Sequence, residues 1–239
     1  MTTFSRRNFL KTVSAGGVLL ITPSGLQSMP KDHALQRISV TQREEILTAD
    51  IVIIGGGLGG VAAALSSLRN GKKVILAEET DWLGGQLTQQ GVPPDEHRWI
   101  EHTGSTKTYR EMRNHIREYY RNNYPLKDSA RNNPYLNPGN ASVSRLCHEP
   151  KVALAIILEI LAPYISSGKL TILYQYKAIK SSVNKDTVED IIVKSSVTVD
   201  TKILKAPCFV DATELGDLLP LTGTEFITGS ESRKDTGEL

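Results

Sequence analysis

The sequence predicts an α/β fold, in which a parallel β-sheet is combined with a β-meander crossover and a helical insertion. Two observations lead to this prediction. Short, nearly unbroken runs of β-branched residues, typical of strands buried on both faces, alternate with helical patterns. Three amphipathic stretches then separate the third of these runs from the last, as in an antiparallel meander.

The bulk composition is that of a folded domain with a small net charge. The chain has 239 residues, of which 39% are hydrophobic and 23% are charged, and its formal net charge is +2. This balance gives no electrostatic reason to expect nucleic acid or an anionic membrane as a partner. The two cysteines are too few to hold a zinc ion or an iron–sulfur cluster by themselves, so no metal is expected.

The first element is an export signal in residues 1–30. Residues 5–11 match the twin-arginine motif at every specified position, and the mildly apolar residues 13–21 behind them are too short for a stable membrane anchor. We therefore expect the twin-arginine export machinery as a partner and a periplasmic or other extracytoplasmic location. This route moves folded proteins, which suits a chain that binds a cofactor before export. A basic, disordered N-terminus is the alternative, and residues 31–47 are predicted to be a polar linker.

The second element is a strand at 49–54 that leads through a glycine-rich turn into a helix at 58–69. Gly55, Gly57 and Gly60 satisfy the G-x-G-x-x-G pattern of a dinucleotide-binding βαβ unit. The first glycine permits the tight turn, the second lets the backbone approach a diphosphate, and the third lets the helix pack on the strand. The helix presents its N-terminal amides to the phosphates. A glycine-rich turn without a ligand is the alternative.

The third element is a strand at 73–78 that ends in an acid. A carboxylate at Glu78 is placed to accept hydrogen bonds from the adenosine ribose hydroxyls. Glu79 follows where an NADP site would favour a cation, so NADP is disfavoured. The βαβ unit thus predicts an ADP-containing dinucleotide, but it does not separate FAD from NAD, because both contain an ADP half.

Residues 101–142 are predicted to be an insertion of helix and loop. Apolar and aromatic residues at helical spacing predict an amphipathic helix at 106–123, and Glu96 and His97 in the preceding loop are a possible acid–base pair. Between residues 98 and 131 there are eight Lys or Arg against four Asp or Glu. Such a mixture could bind an anionic substrate or single-stranded nucleic acid, but a solvated helix face is the favoured interpretation.

The remaining elements complete the sheet. A buried helix is expected from Pro150 through the apolar run that ends at Leu161, followed by a strand at 170–174. Stretches at 177–184, 188–195 and 197–204 predict the antiparallel meander, and a strand at 206–211 returns to the sheet and ends in a D-A-T-x-x-G-D turn. An unrelated β-sheet insertion is the alternative to the meander crossover.

Two motifs carry a resemblance to a known family: the glycine pair Gly84-Gly85, six residues after Glu78, and the D-A-T turn. The chain resembles FAD-dependent oxidoreductases with a glutathione-reductase-like FAD domain, and more narrowly the flavoproteins related to heterodisulfide reductase. The resemblance implies a Rossmann-like FAD/NAD(P)-binding domain and FAD as the cofactor. Glu214 departs from the A-T-G pattern of that class, so Gly216 is expected to make the close approach instead. The expected cofactor-binding residues are Gly55, Gly57, Leu58, Gly59, Gly60, Glu78, Gly84, Gly85, Gln86, Ala212, Thr213 and Gly216.

The resemblance further implies a FAD-dependent oxidoreductase that transfers a hydride between an organic substrate and FAD, and the twin-arginine motif adds that this enzyme is exported. The FAD-binding domain is expected at 48–100 and 143–239, and the catalytic candidates are His97, Arg145, Cys147 and His148. The resembled fold has a C-terminal segment that closes over the flavin, and no such element follows Asp217, so a truncated chain is expected. An inactive, cofactor-binding chain is therefore one alternative, and an NAD-linked dehydrogenase is a less favoured one.

Overall fold

The structure, a computed structural model, describes residues 45–230 and 232–237. The twin-arginine motif, the apolar segment behind it and all but the last three residues of the predicted linker lie outside the described residues. The strands and helices follow one another as β1 (Glu45–Thr48), β2 (Ile51–Ile54), α1 (Leu58–Arg69), β3 (Val74–Glu78), α2 (Gln86–Gln89), α3 (Lys107–Asn123), α4 (Asp128–Arg131), α5 (Pro150–Ser166), β4 (Leu170–Tyr174), β5 (Tyr176–Asn184), β6 (Thr187–Ser195), β7 (Thr201–Lys205), β8 (Cys208–Asp211), α6 (Leu218–Thr222) and α7 (Arg233–Thr236).

A parallel sheet with the strand order β4-β3-β2-β8 lies at the centre of the fold. Its strands are buried on both faces, because Val52 and Ile54 belong to one hydrophobic core and Ile53 to the other. This confirms the α/β fold and the doubly buried strands that the sequence predicts. The carboxyl ends of β2, β3 and β8 meet at one edge of the sheet, which is where parallel α/β sheets bind their ligands.

The crossover from β4 to β8 is the predicted antiparallel meander, formed by β5, β6 and β7. The linker prediction is wrong at its end, because residues 45–48 form β1, which pairs in parallel with β7. Ile46 and Leu47 supply a short apolar strand, and Glu45 forms an ion pair with Lys202 at 2.5 Å. The last meander strand is also shorter than predicted, since it begins only at Thr201.

Helices cover one face of the parallel sheet and the meander covers the other. Helix α5 begins with Pro150 at its first turn and buries Val152, Ile156 and Leu161, which confirms the predicted buried helix. Within residues 45–230 and 232–237, none of the helices combines the length and the apolar character that a bilayer crossing needs.

The predicted insertion contains the long helix α3, which packs against α5. Thr106 caps its start, because the Thr106 hydroxyl accepts a hydrogen bond from the Tyr109 amide at 3.2 Å. The helix at 106–123 is therefore confirmed. The interpretation of its basic residues as a solvated face needs correction, because the side chains of Arg113 and Arg117 are only 2% and 3% exposed.

Candidate functional site: a dinucleotide cleft

The glycine fingerprint forms the floor of a cleft at the carboxyl edge of the parallel sheet. Gly55 has φ +100°, and a β-carbon there would collide with the backbone of Ala212. A β-carbon on Gly60 would collide with the carbonyl oxygen of Gly55, so the start of α1 packs directly on the end of β2. The Ala212 amide donates to the Ile54 carbonyl at 2.7 Å, which fixes β8 beside the fingerprint. Only glycine fits the first and last positions of this pattern.

The N-terminus of α1 opens into this cleft. Gly57 is the N-cap residue of the helix, and no side chain makes a capping hydrogen bond to it. The first amides of an α-helix have no intrahelical partners, so without a side-chain cap these amides are available to a ligand, and the helix dipole places partial positive charge there. Backbone amides of this kind are the usual binding site for the diphosphate of a dinucleotide.

Glu78 lies at the end of β3, lines the cleft and is 6% exposed. One of its carboxylate oxygens accepts a hydrogen bond from the Gly56 amide at 2.6 Å. The other accepts from the amide and the hydroxyl of Thr80 at 2.9 and 2.7 Å. Because a carboxylate oxygen can accept two hydrogen bonds, Glu78 retains acceptor capacity for a ribose hydroxyl.

The glycine pair packs onto the fingerprint from the other side. The Gly84 amide donates to the Gly56 carbonyl at 2.9 Å. Gly85 has φ +51°, and a β-carbon on it would lie 3.2 Å from the α-carbon of Gly57. The pair therefore brings a second stretch of side-chain-free backbone to the place where the diphosphate is expected, in line with its predicted role.

The D-A-T turn is held by its own side chains. Asp211 accepts hydrogen bonds from the amides of Thr213 and Leu218 at 3.0 and 2.9 Å. Ala212 makes the close approach to the fingerprint. The expectation that Gly216 makes this close approach is wrong. Its φ is +71°, and among the described residues the only atoms within 4 Å of a β-carbon there belong to the side chain of Leu219.

These elements form one cleft, which we call the dinucleotide cleft. Of the predicted cofactor-binding residues, those that line it are Gly55, Gly57, Glu78, Gly85, Ala212 and Thr213. Gly60 and Gly84 are buried behind it, Leu58 and Gly59 lie in the first turn of α1, and the Gln86 side chain is exposed at the start of α2. The glycine-lined floor, the uncapped helix and the buried carboxylate together fit the ADP half of a dinucleotide.

None of the four catalytic candidates lines the dinucleotide cleft. Arg145 is exposed, and Cys147 is a buried free thiol whose amide donates to Asn137 at 2.6 Å. His97 is exposed and accepts a hydrogen bond from the Trp99 amide. Their catalytic roles stay predictions.

His148 is the half-buried member of this group. Burial lowers its pKa, and the hydrogen bond between Nδ1 and the Glu149 carbonyl offsets only part of this effect. Its Nε2 is buried without a hydrogen-bond partner among the described residues. The His148 imidazole therefore stays neutral at a lower pH than an imidazole in water does.

Sequence reasoning misses a buried ionic network in the insertion. Arg113 contacts the carboxylates of both Glu96 and Glu101, and Arg117 binds Glu101 at 2.6 Å and the Leu136 carbonyl at 3.0 Å. Burial by itself would raise the pKa of Glu101, but the two guanidinium groups outweigh it and hold that pKa below the usual value. The sequence does contain a signal for this burial. Arg113 and Arg117 are spaced so that they lie on the same helix face as the apolar residues of α3.

In the described part of the chain, no group of three or more His, Cys, Asp or Glu side chains is arranged to hold a metal ion.

Comparison with known proteins shows which family the chain resembles and which cofactor that family uses. The model of the family described as FAD dependent oxidoreductase matches residues 50–239. The chain is 35% identical over 66 residues to the mitochondrial dihydrolipoyl dehydrogenase of Bos taurus, a match that covers 26% of this chain and 13% of that enzyme. It is 41% identical over 54 residues to the NADH:acrylate oxidoreductase of Vibrio harveyi, covering 22% of this chain and 5% of that protein.

Among solved structures, the FAD complex of glycerol-3-phosphate dehydrogenase from Bacillus halodurans aligns with a TM-score of 0.44 and 15% identity, over 75% of this chain and 36% of that one. The matched segments thus span well under two thirds of the length of these relatives. The family match and the geometry of the cleft together identify its dinucleotide as FAD.

Proposed function

The chain belongs to the FAD-dependent oxidoreductase family, and from this premise we propose that it is an exported enzyme that transfers a hydride between a small organic substrate and FAD. The observation that carries the proposal is the dinucleotide cleft, in which the fingerprint, the uncapped helix and Glu78 converge. When bound, the flavin supplies the redox chemistry, and the protein supplies binding and orientation.

The residues of this chain have distinct tasks in the proposal. The backbone around Gly57 and Gly85 would hold the diphosphate, and the Glu78 carboxylate would accept hydrogen bonds from the adenosine ribose hydroxyls. The meander crossover between β4 and β8 supports the narrower resemblance to glutathione-reductase-like FAD domains, because that class places a meander at this point. The still narrower relation to heterodisulfide reductase rests on the glycine pair and the D-A-T turn.

Cofactor content and redox activity test the enzymatic part. The purified full-length chain should be yellow, should release FAD on heat denaturation, and should lose its flavin absorbance when an organic hydride donor is added without oxygen. A colourless protein that takes up no FAD contradicts the proposal. Release of NAD instead of FAD would favour a nicotinamide-linked dehydrogenase.

The twin-arginine motif supports the export part of the proposal. In a bacterium with an intact twin-arginine system, the full-length chain should accumulate outside the cytoplasm. The variant Arg6→Lys with Arg7→Lys should stay inside, because the two changes keep the charge but remove the paired arginines. Equal distribution of both proteins would contradict export by this route.

A second candidate function is FAD binding without turnover. It is favoured by one observation: the described residues that line the dinucleotide cleft have roles in holding the ADP half of FAD, and none of them has a role in hydride transfer. It predicts that the bound flavin is reduced by a chemical reductant but by none of a panel of organic hydride donors. Reduction by any such donor would exclude it.

A further inference from the structure

The side chain of Glu214 points at the part of the cleft where the cofactor diphosphate is expected. One of its carboxylate oxygens lies 3.1 Å from the point that a β-carbon on Gly57 would occupy, and 3.3 Å from the corresponding point on Gly85. It is therefore within about 5 Å of the α-carbons of both glycines. A carboxylate thus stands beside backbone that is suited to another anion.

The turn that carries Glu214 is held by its neighbours. Asp211 accepts from the amides of Thr213 and Leu218, and the Thr213 hydroxyl accepts from the Asp217 amide at 2.7 Å. Because the main chain on both sides is fixed in this way, the Glu214 carboxylate can leave the diphosphate position only by rotation about its own side-chain bonds.

The charges that line the dinucleotide cleft are mostly negative. Lys177 lies 3.2 Å from a carboxylate oxygen of Glu79 and 3.2 Å from one of Asp217, so both of these acids have the same cation as an ion-pair partner. Glu78 is stabilised by the hydrogen bonds described above. Within the described part of the chain, the Glu214 carboxylate makes no hydrogen bond or ion pair. Among the carboxylates that line the cleft, Glu214 is therefore the one without a described ion-pair or hydrogen-bond partner.

We propose that Glu214 acts as a built-in anionic competitor for the diphosphate of FAD. The carboxylate stands at the N-terminus of α1, so binding of the cofactor requires it to swing away. The remaining repulsion between the two anions makes binding weaker than the rest of the cleft allows. This inference rests on FAD binding at the dinucleotide cleft, the first part of the proposed function.

Titration of FAD into the full-length chain, after removal of bound flavin, tests the proposal. Glu214→Gln keeps the shape of the side chain and removes its charge. At low ionic strength we expect its Kd for FAD to be lower than that of the wild type by about 5-fold, which corresponds to about 1 kcal/mol, the size of the repulsion between two unit charges 4 Å apart in water. The difference should shrink as salt is added, because Glu214 is exposed.

Glu79→Gln is the matched control, since it removes the same charge from the rim of the same cleft. We expect its Kd to stay within about 2-fold of the wild type, because Glu79 is exposed and is already paired with Lys177 at 3.2 Å. Equal tightening in both variants would overturn the proposal in favour of a diffuse charge effect.

Glu214→Gly is the second variant, and it restores the glycine of the A-T-G pattern. It should also bind FAD more tightly than the wild type. Unchanged or weaker binding in both position-214 variants, with circular dichroism and Tm like those of the wild type, would overturn the proposal. If the wild-type protein binds FAD and neither position-214 variant binds it more tightly, the inference fails while FAD binding at the cleft stands. If neither the wild type nor the position-214 variants bind FAD, both the inference and the proposed FAD binding fail.

Discussion

The backbone amide of Gly56 donates a hydrogen bond to the carboxylate of Glu78 at 2.6 Å, which ties the end of β3 to the middle of the glycine fingerprint. The same carboxylate also accepts from Thr80 and lines the dinucleotide cleft. Glu78 therefore stabilises the cleft in addition to its expected contact with the ribose.

We expect Glu78→Gln to destabilise the protein by about 1–3 kcal/mol. A glutamine offers one acceptor oxygen, so its NH₂ group must face an N–H donor, at either Gly56 or Thr80. Urea denaturation monitored by circular dichroism measures the loss. Glu79→Gln is the control, because that exposed residue has only a surface ion pair, and we expect a change below about 0.5 kcal/mol. Equal effects of the two substitutions would contradict the structural role of Glu78.

Neighbouring glycines of the fingerprint should respond very differently to the same substitution. A β-carbon on Gly60 would collide with the Gly55 carbonyl, whereas a β-carbon on Gly59 has no atom within 4 Å. We expect Gly60→Ala to lose more than about 2 kcal/mol of stability together with its bound FAD. Gly59→Ala should keep both, and its Tm should be unchanged or slightly higher because alanine favours the helix. Thermal melting and flavin content of the two purified variants check this, and similar losses in both would contradict the packing described here.

The ionic network of the insertion should be intolerant of losing one partner. Arg113→Met leaves the buried Glu96 carboxylate without its cation, so we expect a loss of about 3–5 kcal/mol. Lys107→Met on the same helix is the control, because that side chain is 91% exposed and its pair with Glu111 is 3.8 Å long. It should change the free energy of unfolding by less than about 0.5 kcal/mol. Denaturant unfolding of both variants measures these changes. A loss of unfolding free energy below about 1 kcal/mol for Arg113→Met would show that the network contributes little to stability.

Stability should depend on pH through His148. Its pKa in the folded protein lies below the usual 6.5, so the unfolded chain takes up its proton first as the pH falls. The contribution of His148 to stability is therefore complete above about pH 6.5 and is lost as the pH falls through the folded pKa. The free energy of unfolding of the wild type should decrease over this range relative to His148→Asn. Parallel pH profiles for the two proteins would contradict the burial of this imidazole.

The sequence predicts those parts of the fold whose signals are local. The βαβ unit, the buried helix at Pro150 and the meander all depend on patterns within one or two consecutive elements, and the structure contains them. The sequence does not reveal β1, because its four residues become a strand only through pairing with Thr201–Lys205, far along the chain. No pattern within residues 31–47 could indicate that partner.

The residues of the candidate site likewise differ in whether the sequence can predict them. Gly55, Gly60 and Ala212 are predictable because steric limits on the backbone determine those positions. The burial of Arg113 is not predictable from charge counts, because the carboxylates that neutralise it come from the loop before α3. Glu214 can be identified as a departure from a pattern, but only the geometry shows that its charge lies beside Gly57.

The order of strands in the central sheet has a consequence for how the chain folds. β2 lies between β3 and β8, and Ile51 pairs with Cys208, far along the chain. The central strand therefore keeps one open edge until the ribosome has completed the chain through Asp211. Contacts of such long sequence separation form slowly and leave an aggregation-prone edge exposed in the meantime. The central sheet of this domain can therefore be completed only after β8 has been synthesised.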